Sequence, residues 1–151
     1  MRAALEALNR LLADRVIENY AIGGAIAASF YLPAMQTEDI DVGMVEREYI
    51  RFGEWPLQIL TDATPLISGA IREAIEVDYE GIPTRVFRPE HLCAIALQTG
   101  RSKDYARVML FLEQNEVDRQ KLSDLASTYG LTDRLLRVVG SLEPGKADTP
   151  Q

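Results

Sequence analysis

The chain has 151 residues, of which 47% are hydrophobic and 26% are charged, and its formal net charge is −7. These values are typical of one soluble globular domain with a hydrophobic core of its own. An acidic chain is a poor candidate for binding long duplex DNA through its phosphates, but it can hold a small nucleotide if a metal ion supplies positive charge.

The sequence carries no signal for export. Arg2, Glu6 and Arg10 lie where an apolar signal core would be expected. The uncharged stretch 19–37 is interrupted by glycines and a proline, so it does not predict a membrane helix. The chain has one cysteine, Cys93, which cannot form an internal disulfide and is expected to be a buried thiol. We therefore expect a cytoplasmic protein without a membrane-spanning helix.

The first part of the chain mixes helical and strand patterns. Leucines at helical spacing predict the first helix, and short apolar runs bounded by Gly and Pro predict strands. The predicted elements are a helix over 2–13, a strand over about 16–22, a helix over 25–32, a strand over 40–45, a strand with a preceding loop over 49–60, a short helix over 68–74 and a β-hairpin of 75–79 and 84–87.

The pattern after residue 88 is helical. Helices are predicted over about 89–98, from near 102, over about 117–129 and over about 132–139, with Gly100, Gly130 and Gly140 as stop signals. We expect one α+β (or α/β) domain over 1–140, with a small mixed sheet in about 16–88 and a helical part in about 89–140. Residues 141–151 are predicted to be a flexible tail.

The turn at Gly23-Gly24 follows an apolar strand and precedes a helix. Glycines in such a turn let phosphate oxygens approach backbone N–H groups. A glycine pair is also common in any tight strand-to-helix turn, so this motif alone leaves both interpretations open. A dinucleotide-binding interpretation is disfavoured because the full G-x-G-x-x-G pattern is absent.

Two acidic residues lie one residue apart in the next predicted strand. Since side chains alternate along a strand, Asp39 and Asp41 are expected to lie on the same face. Asp is disfavoured in strands, so the pair suggests oxygen ligands for Mg²⁺, although an exposed edge would also tolerate it. The glycine turn upstream favours the metal site.

These motifs resemble the nucleotidyltransferase superfamily, whose fold is shared by DNA polymerase beta. They are most similar to the bacterial minimal nucleotidyltransferases related to abortive-infection and toxin–antitoxin proteins. The resemblance consists of Gly23-Gly24, the segment Thr-Glu-Asp-Ile-Asp-Val at 37–42, Gly-Ile-Pro at 81–83, Pro-Glu-His-Leu at 89–92 and Gly-Arg-Ser-Lys-Asp at 100–104. It covers about residues 16–130.

The resemblance implies transfer of a nucleoside monophosphate from a nucleoside triphosphate to an acceptor. Asp39 and Asp41 would bind Mg²⁺, Gly23 and Gly24 would seat the triphosphate, and Arg101 with Lys103 would contact phosphates. The acceptor remains open between RNA, a protein and a small molecule. A second copy of the chain or a partner protein is left open as an assembly partner. The alternative for the basic residues is an ordinary solvated helix face, with Asp104 paired to Lys103 or Arg107.

One departure bears on activity. The family's third carboxylate aligns with Gln58, which can offer a neutral oxygen to a cation but cannot act as a general base. Asp62 and Asp78 are the candidate substitutes, and the family's helix lysine is replaced by Ala96. These departures predict two alternatives: a Mg²⁺-dependent nucleotidyltransferase that uses Gln58 as an auxiliary ligand, or a catalytically reduced protein that binds a nucleotide or a partner, as in a toxin–antitoxin or defence system.

Overall fold

The computed structural model describes residues 1–32 and 64–142 with their side chains, and the backbone of 40–44 and 57–61. In chain order the elements are α1 (Arg2–Ala13), β1 (Tyr20–Gly23), α2 (Gly24–Ser29), β2 (Ile40–Met44), β3 (Leu57–Thr61), α3 (Pro65–Arg72), β4 (Ile75–Tyr79), β5 (Ile82–Val86), α4 (Pro89–Thr99), α5 (Ser102–Glu113), α6 (Arg119–Thr128) and α7 (Thr132–Leu142).

The strands form one mixed sheet in the order β3-β2-β1-β5-β4. Strand β1 is antiparallel to β2 and parallel to β5, while β2 is parallel to β3 and β4 is antiparallel to β5. The carboxyl ends of β1 and β5 therefore lie at the same edge of the sheet as the amino ends of β2 and β3. This edge carries the Gly23-Gly24 turn and the part of β2 that contains Asp41. A mixed sheet packed with helices confirms the predicted α+β class.

The helices cover the sheet and then pack on one another. Both α2 and α3 contact β1 and β2, and α1 contacts β5. Helix α4 contacts α2, α3, α5 and α6, which joins the sheet to the helical part of the chain. The core includes Leu5 of α1, Ile22 of β1, Leu66 of α3, Leu97 of α4 and Phe111 of α5, all fully buried. Burial of such side chains is the main favourable term in folding.

Local signals explain most of the element boundaries. Helix α3 begins with Thr64 as its N-cap, whose hydroxyl accepts a hydrogen bond from the Ile67 N–H, and with Pro65 in its first turn. Helix α4 ends at Gly100, which has a φ of 72° and so adopts the left-handed conformation common at helix ends. The Arg134 guanidinium donates hydrogen bonds to two carbonyl oxygens in the last turn of α4.

The structure corrects several predicted boundaries. Helix α3 begins at Pro65 and not at Ser68, because the cap at Thr64 starts it one turn earlier. Helix α2 ends at Ser29, before the predicted end at residue 32. Helix α7 continues through Gly140 to Leu142, so Gly140 does not end it and the predicted tail from 141 begins inside the helix. The hairpin turn consists of Glu80 and Gly81 only, and both have positive φ angles.

No helix within the described residues is long and apolar enough to cross a bilayer.

Candidate functional site

Three predicted site residues share one row across the sheet. Gly23 at the end of β1 is the register partner of Asp41 in β2, and Asp41 is the register partner of Gln58 in β3. Neighbouring strands lie about 4.8 Å apart, so the row spans about 10 Å of backbone. The register therefore brings the glycine turn, an acidic residue and the position of the missing third carboxylate to the same sheet edge.

Each glycine of the turn has a structural reason. A Cβ atom on Gly23 would lie 2.8 Å from Cε2 of Phe87, closer than non-bonded carbon atoms approach. Gly24 has a φ of 58°, in the left-handed region that favours glycine. Packing and backbone geometry account for both residues. Gly23 is buried beneath the Phe87 ring, and Gly24 is the more exposed residue of the turn. The triphosphate role of the pair remains a prediction.

The structure describes only part of the predicted metal site. Asp39 lies outside the described residues, and Asp41 is described through its backbone alone. Among the described side chains, no group of three His, Cys, Asp or Glu residues could hold a metal ion. The assignment of Asp39 and Asp41 as Mg²⁺ ligands therefore rests on the register of Asp41 and on the sequence.

The substitutes for the third carboxylate do not strengthen the site. Asp62 lies outside the described residues. Asp78 is an exposed residue of β4, the edge strand three positions away from β2 in the sheet. Its Oδ1 accepts a hydrogen bond from the Gly81 N–H at 3.0 Å, which stabilises the hairpin turn. Asp78 is therefore a turn residue, and the position in register with Asp41 is held by Gln58.

The predicted phosphate contacts Arg101 and Lys103 lie at the start of α5. The other end of this helix lies nearer the glycine turn, because Phe111 contacts Tyr31 with ring centroids 6.2 Å apart, and the Tyr31 hydroxyl donates to the Phe87 carbonyl. The rise of an α-helix places Lys103 about 12 Å along the axis from Phe111. The phosphate role of Arg101 and Lys103 stays a prediction, and it requires a ligand that extends well away from Gly23.

Arg101 has a carboxylate partner. Its Nε and Nη2 atoms donate to the two oxygens of Asp104 at 2.7 and 3.2 Å, and the Arg101 backbone N–H also donates to Asp104. Burial raises the pKa of the Asp104 carboxyl, but the hydrogen bonds and charge of Arg101 outweigh that effect and hold this pKa below its usual value. The expected surface pairing of Asp104 with Lys103 or Arg107 is wrong, since Asp104 is buried and caps α5 with Arg101.

A second basic residue of the region also has a structural role. Arg85 of β5 donates from Nε to the Tyr20 carbonyl and from Nη2 to the carbonyls of Ile71 and Ala74. These bonds join the centre of the sheet to the end of α3. Arg85 therefore stabilises the fold through internal contacts.

The first turn of α4 lies beside the row. Phe87, whose ring lies against Gly23, comes directly before Arg88, the N-cap of α4. His91 lies in the first turn of this helix. His91 is 2% exposed. Burial lowers the pKa of its imidazole, while the charges of Glu73 and Glu90 oppose this effect. The His91 imidazole is therefore harder to protonate than that of an exposed histidine.

Cys93, two residues further on, is buried as expected, and burial raises the pKa of its thiol.

The comparisons with known proteins found likeness in structure only. No family model matches the sequence, and no curated protein matches it significantly. An antigenic nucleotidyltransferase-like protein from Paracoccidioides brasiliensis superimposes with a TM-score of 0.56 at 14% identity, over 92% of this chain and 90% of that chain. The antibiotic-resistance factor ANT(2'')-Ia superimposes with a TM-score of 0.53 at 14% identity, over 94% of this chain and 98% of that chain. At this identity the likeness shows the fold alone, and it confirms the predicted fold: this chain has the α+β fold of the nucleotidyltransferase-like proteins.

Proposed function

We propose that this protein is a Mg²⁺-dependent nucleotidyltransferase that transfers a nucleoside monophosphate from a nucleoside triphosphate to an acceptor. The observation that carries the proposal is the register of Gly23, Asp41 and Gln58 across three neighbouring strands in a nucleotidyltransferase-like fold. The row puts an acidic residue directly beside a glycine turn. This combination suits a nucleoside triphosphate, because triphosphates bind as complexes with divalent cations.

The reaction would proceed by displacement at the α-phosphorus. A bond forms between the acceptor hydroxyl oxygen and this phosphorus, the bond to the bridging oxygen breaks, and pyrophosphate leaves. The hydroxyl proton passes to a base or to solvent. Asp39 and Asp41 would hold Mg²⁺, which when bound neutralises negative charge on the phosphates. The turn at Gly23 and Gly24 would seat the triphosphate, and Arg101 and Lys103 would contact phosphates of a ligand long enough to reach the start of α5.

Gln58 limits what the site can do. A carboxylate in this position could accept the acceptor's proton, whereas a glutamine amide cannot. General-base catalysis contributes about 10²–10⁴-fold to a typical rate. We therefore expect slow transfer, with Gln58 acting as a neutral ligand or an orienting group.

Gln58 also supports a second candidate function. In this alternative the protein binds a nucleoside triphosphate, or a partner protein, without turnover and acts by interaction, for example in a toxin–antitoxin or defence system. Ala96, buried in α4 in place of the lysine of related sequences, points the same way. The two candidates differ in one measurable property, which is the appearance of labelled nucleotide on an acceptor.

The test is transfer of α-³²P-labelled nucleotide to RNA, protein and small-molecule acceptors in the presence of Mg²⁺. Wild type is compared with Asp39→Ala and Asp41→Ala, with Gln58→Asp, and with Asp14→Asn as a control that removes an exposed acid at the end of α1. We expect transfer in wild type and in the control, no transfer in the two Ala variants, and faster transfer in Gln58→Asp.

The outcomes separate the candidates. Transfer by both Ala variants at the wild-type rate would overturn the metal-ligand assignment. No label on any acceptor from wild type, together with label from Gln58→Asp, would identify a catalytically reduced protein. A chain that binds no nucleoside triphosphate at all would contradict the first candidate and would leave only the partner-binding form of the second.

A further inference from the structure

A cavity of about 440 Å³ lies beside the first turn of α4. It is lined by Arg88 and His91 at the start of α4 and by Lys121 and Leu125 of α6. Glu73, at the end of α3, also lines the cavity. None of these residues belongs to the row of Gly23, Asp41 and Gln58. The volume falls within the usual range of about 300–1,000 Å³ for small-molecule sites.

The acidic residues around the cavity already have partners. Glu90 Oε1 accepts a hydrogen bond from the Asp118 backbone N–H at 2.9 Å, which fixes the start of α6 against α4. Asp124 Oδ1 accepts from the Gln120 side chain at 2.9 Å. Glu73 forms an ion pair with the neighbouring Arg72 at 3.7 Å. Each of these carboxylates therefore has a structural contact, and Glu90 and Asp124 each keep a second oxygen for which no hydrogen bond is seen among the described residues.

The basic residues around the cavity are less committed. Arg88 donates from Nε to the Glu73 carbonyl oxygen at 2.8 Å, and within the described part of the chain its Nη atoms have no hydrogen-bond partner. Lys121, on the exposed side of α6, forms no ion pair with any described residue. The Arg88 guanidinium and the Lys121 ammonium group, which both line the cavity, therefore have N–H donors available for a ligand.

His91 provides an independent observation. Its side chain lines the cavity, and its Nδ1 atom is buried without a hydrogen-bond partner among the described residues. A buried polar atom without a partner is unfavourable, and a ligand or a water molecule can offset this cost. No side chain caps the start of α4. The helix dipole places partial positive charge there, although Pro89 has no N–H to donate and Glu90 adds a negative charge to the first turn.

We propose that this cavity binds a small molecule through an oxyanion, namely a phosphate group. The oxyanion lies between Arg88 and Lys121 at the start of α4, within reach of the His91 imidazole. The cavity is larger than an inorganic phosphate, so the remaining volume, lined in part by Leu125 and Thr128, takes the organic part of the ligand. The free carboxylate oxygens of Glu90 and Asp124 accept hydrogen bonds from hydroxyl groups of that part.

The chain offers a direct reporter for this site. His91 is its only histidine, so one imidazole signal in a nitrogen-15 NMR spectrum reports on the cavity. The protein is titrated with inorganic phosphate, pyrophosphate, a nucleoside monophosphate and a sugar phosphate at constant pH and ionic strength, without divalent cations. We expect a saturable shift of the imidazole signal with at least one probe. The pyrophosphate and sugar-phosphate arms distinguish a product of nucleotide transfer from a separate metabolite.

Variants assign the binding to the cavity. Lys121→Gln should raise the dissociation constant at least fivefold, because it removes a charge without disturbing an internal contact. Arg88→Gln should act in the same direction, but it also removes a contact to Glu73, so Lys121→Gln is the decisive variant. Arg10→Gln removes a positive charge from α1, outside the cavity, and should leave binding unchanged.

Two results would overturn the proposal. One is the absence of a saturable shift with all four probes. The other is a shift that Lys121→Gln leaves intact, or that Arg10→Gln weakens to the same degree. Asp41→Asn should bind the probes as wild type does, so failure of the oxyanion site and failure of the nucleotidyltransferase proposal are observed separately.

Discussion

Gly23 shows how packing can fix a single residue at the edge of the candidate site. Phe87 is fully buried, and its ring lies where a side chain at position 23 would begin. The absence of a side chain lets β5 and β1 come together at the sheet edge that carries Asp41.

Replacing Gly23 by Ala should destabilise the protein by about 1–3 kcal/mol, because the new Cβ overlaps the Phe87 ring in a packed core. The measurement is the free energy of unfolding from urea denaturation. Gly140→Ala is the matched control, since nothing lies within 4 Å of a Cβ at that position in α7, and it should be neutral or stabilising.

A second substitution tests the cause of this loss. Phe87→Leu should make Gly23→Ala less costly in the double variant than it is in wild type, since the smaller side chain leaves room for the Cβ. If the two substitutions are additive, the overlap with Phe87 is not the cause of the destabilisation.

His91 should make stability depend on pH. Burial lowers the pKa of His91 in the folded protein, so below the unfolded value of about 6.5 the unfolded state binds more protons. The contribution of His91 is therefore fully present at higher pH and is lost as the pH falls from about 6.5 towards the lower folded value. Charges near His91 modulate this shift: Glu73 and Glu90 raise its pKa, and Arg88 and Arg72 lower it.

The comparison is urea denaturation of wild type and His91→Gln at pH 7.5 and at pH 5.5. Wild type should lose more stability between these pH values than His91→Gln, since the carboxylates are common to both proteins. Equal losses in the two proteins would show that His91 binds its proton as easily when folded as when unfolded.

At the scale of the elements, the start of α5 is the feature whose role changed most between sequence and structure. The Arg101-Ser-Lys-Asp104 segment was expected to present two cations to phosphates. In the structure Arg101 and Asp104 form a capping box. The Asp104 carboxylate accepts hydrogen bonds from both the backbone N–H and the side chain of Arg101. The motif therefore starts a helix, whatever else it binds.

Asp104→Ala should cost about 1–2 kcal/mol of stability, as expected for loss of a helix N-cap interaction. Lys103→Ala, on the exposed side of the same turn, should stay within about 0.5 kcal/mol of wild type. Both values come from urea or thermal denaturation. Equal effects of the two substitutions would mean that the capping box does not stabilise α5.

The sequence predicts the elements where local signals act alone. The bounds of α1 follow from its leucine spacing, and α4 and α5 begin at Pro89 and Ser102 as predicted. It fails where a boundary depends on context: Gly140 ends α7 only if its φ is positive, and here the helix continues to Leu142. The sequence-based prediction also missed Thr64 as the N-cap of α3, although a Thr directly before a Pro is a known signal for the start of a helix.

At the scale of the whole molecule, the sheet order explains why residues distant in sequence meet. Strand β1 lies at the centre of the sheet with β2 on one side and β5 on the other. The candidate row and the first turn of α4 are thus brought to the same edge. The sequence pattern predicted Gly23 and Asp41 as site residues. The family resemblance predicted that Gln58 occupies the position of the third carboxylate. The cavity beside α4 could not be predicted in this way, because its lining comes from three separate segments that only tertiary packing brings together.

The net charge of −7 gives the central claim a direct test, because an acidic protein needs a cation to hold a triphosphate at an acidic site. Calorimetric titration with each nucleoside triphosphate, with and without Mg²⁺, compares wild type, Asp41→Asn and the control Asp14→Asn. We predict binding that requires Mg²⁺ in wild type and in Asp14→Asn, and that is weakened at least about tenfold, or 1.4 kcal/mol, in Asp41→Asn. Binding that is indifferent to Mg²⁺, or equally tight in Asp41→Asn, would contradict the proposed site.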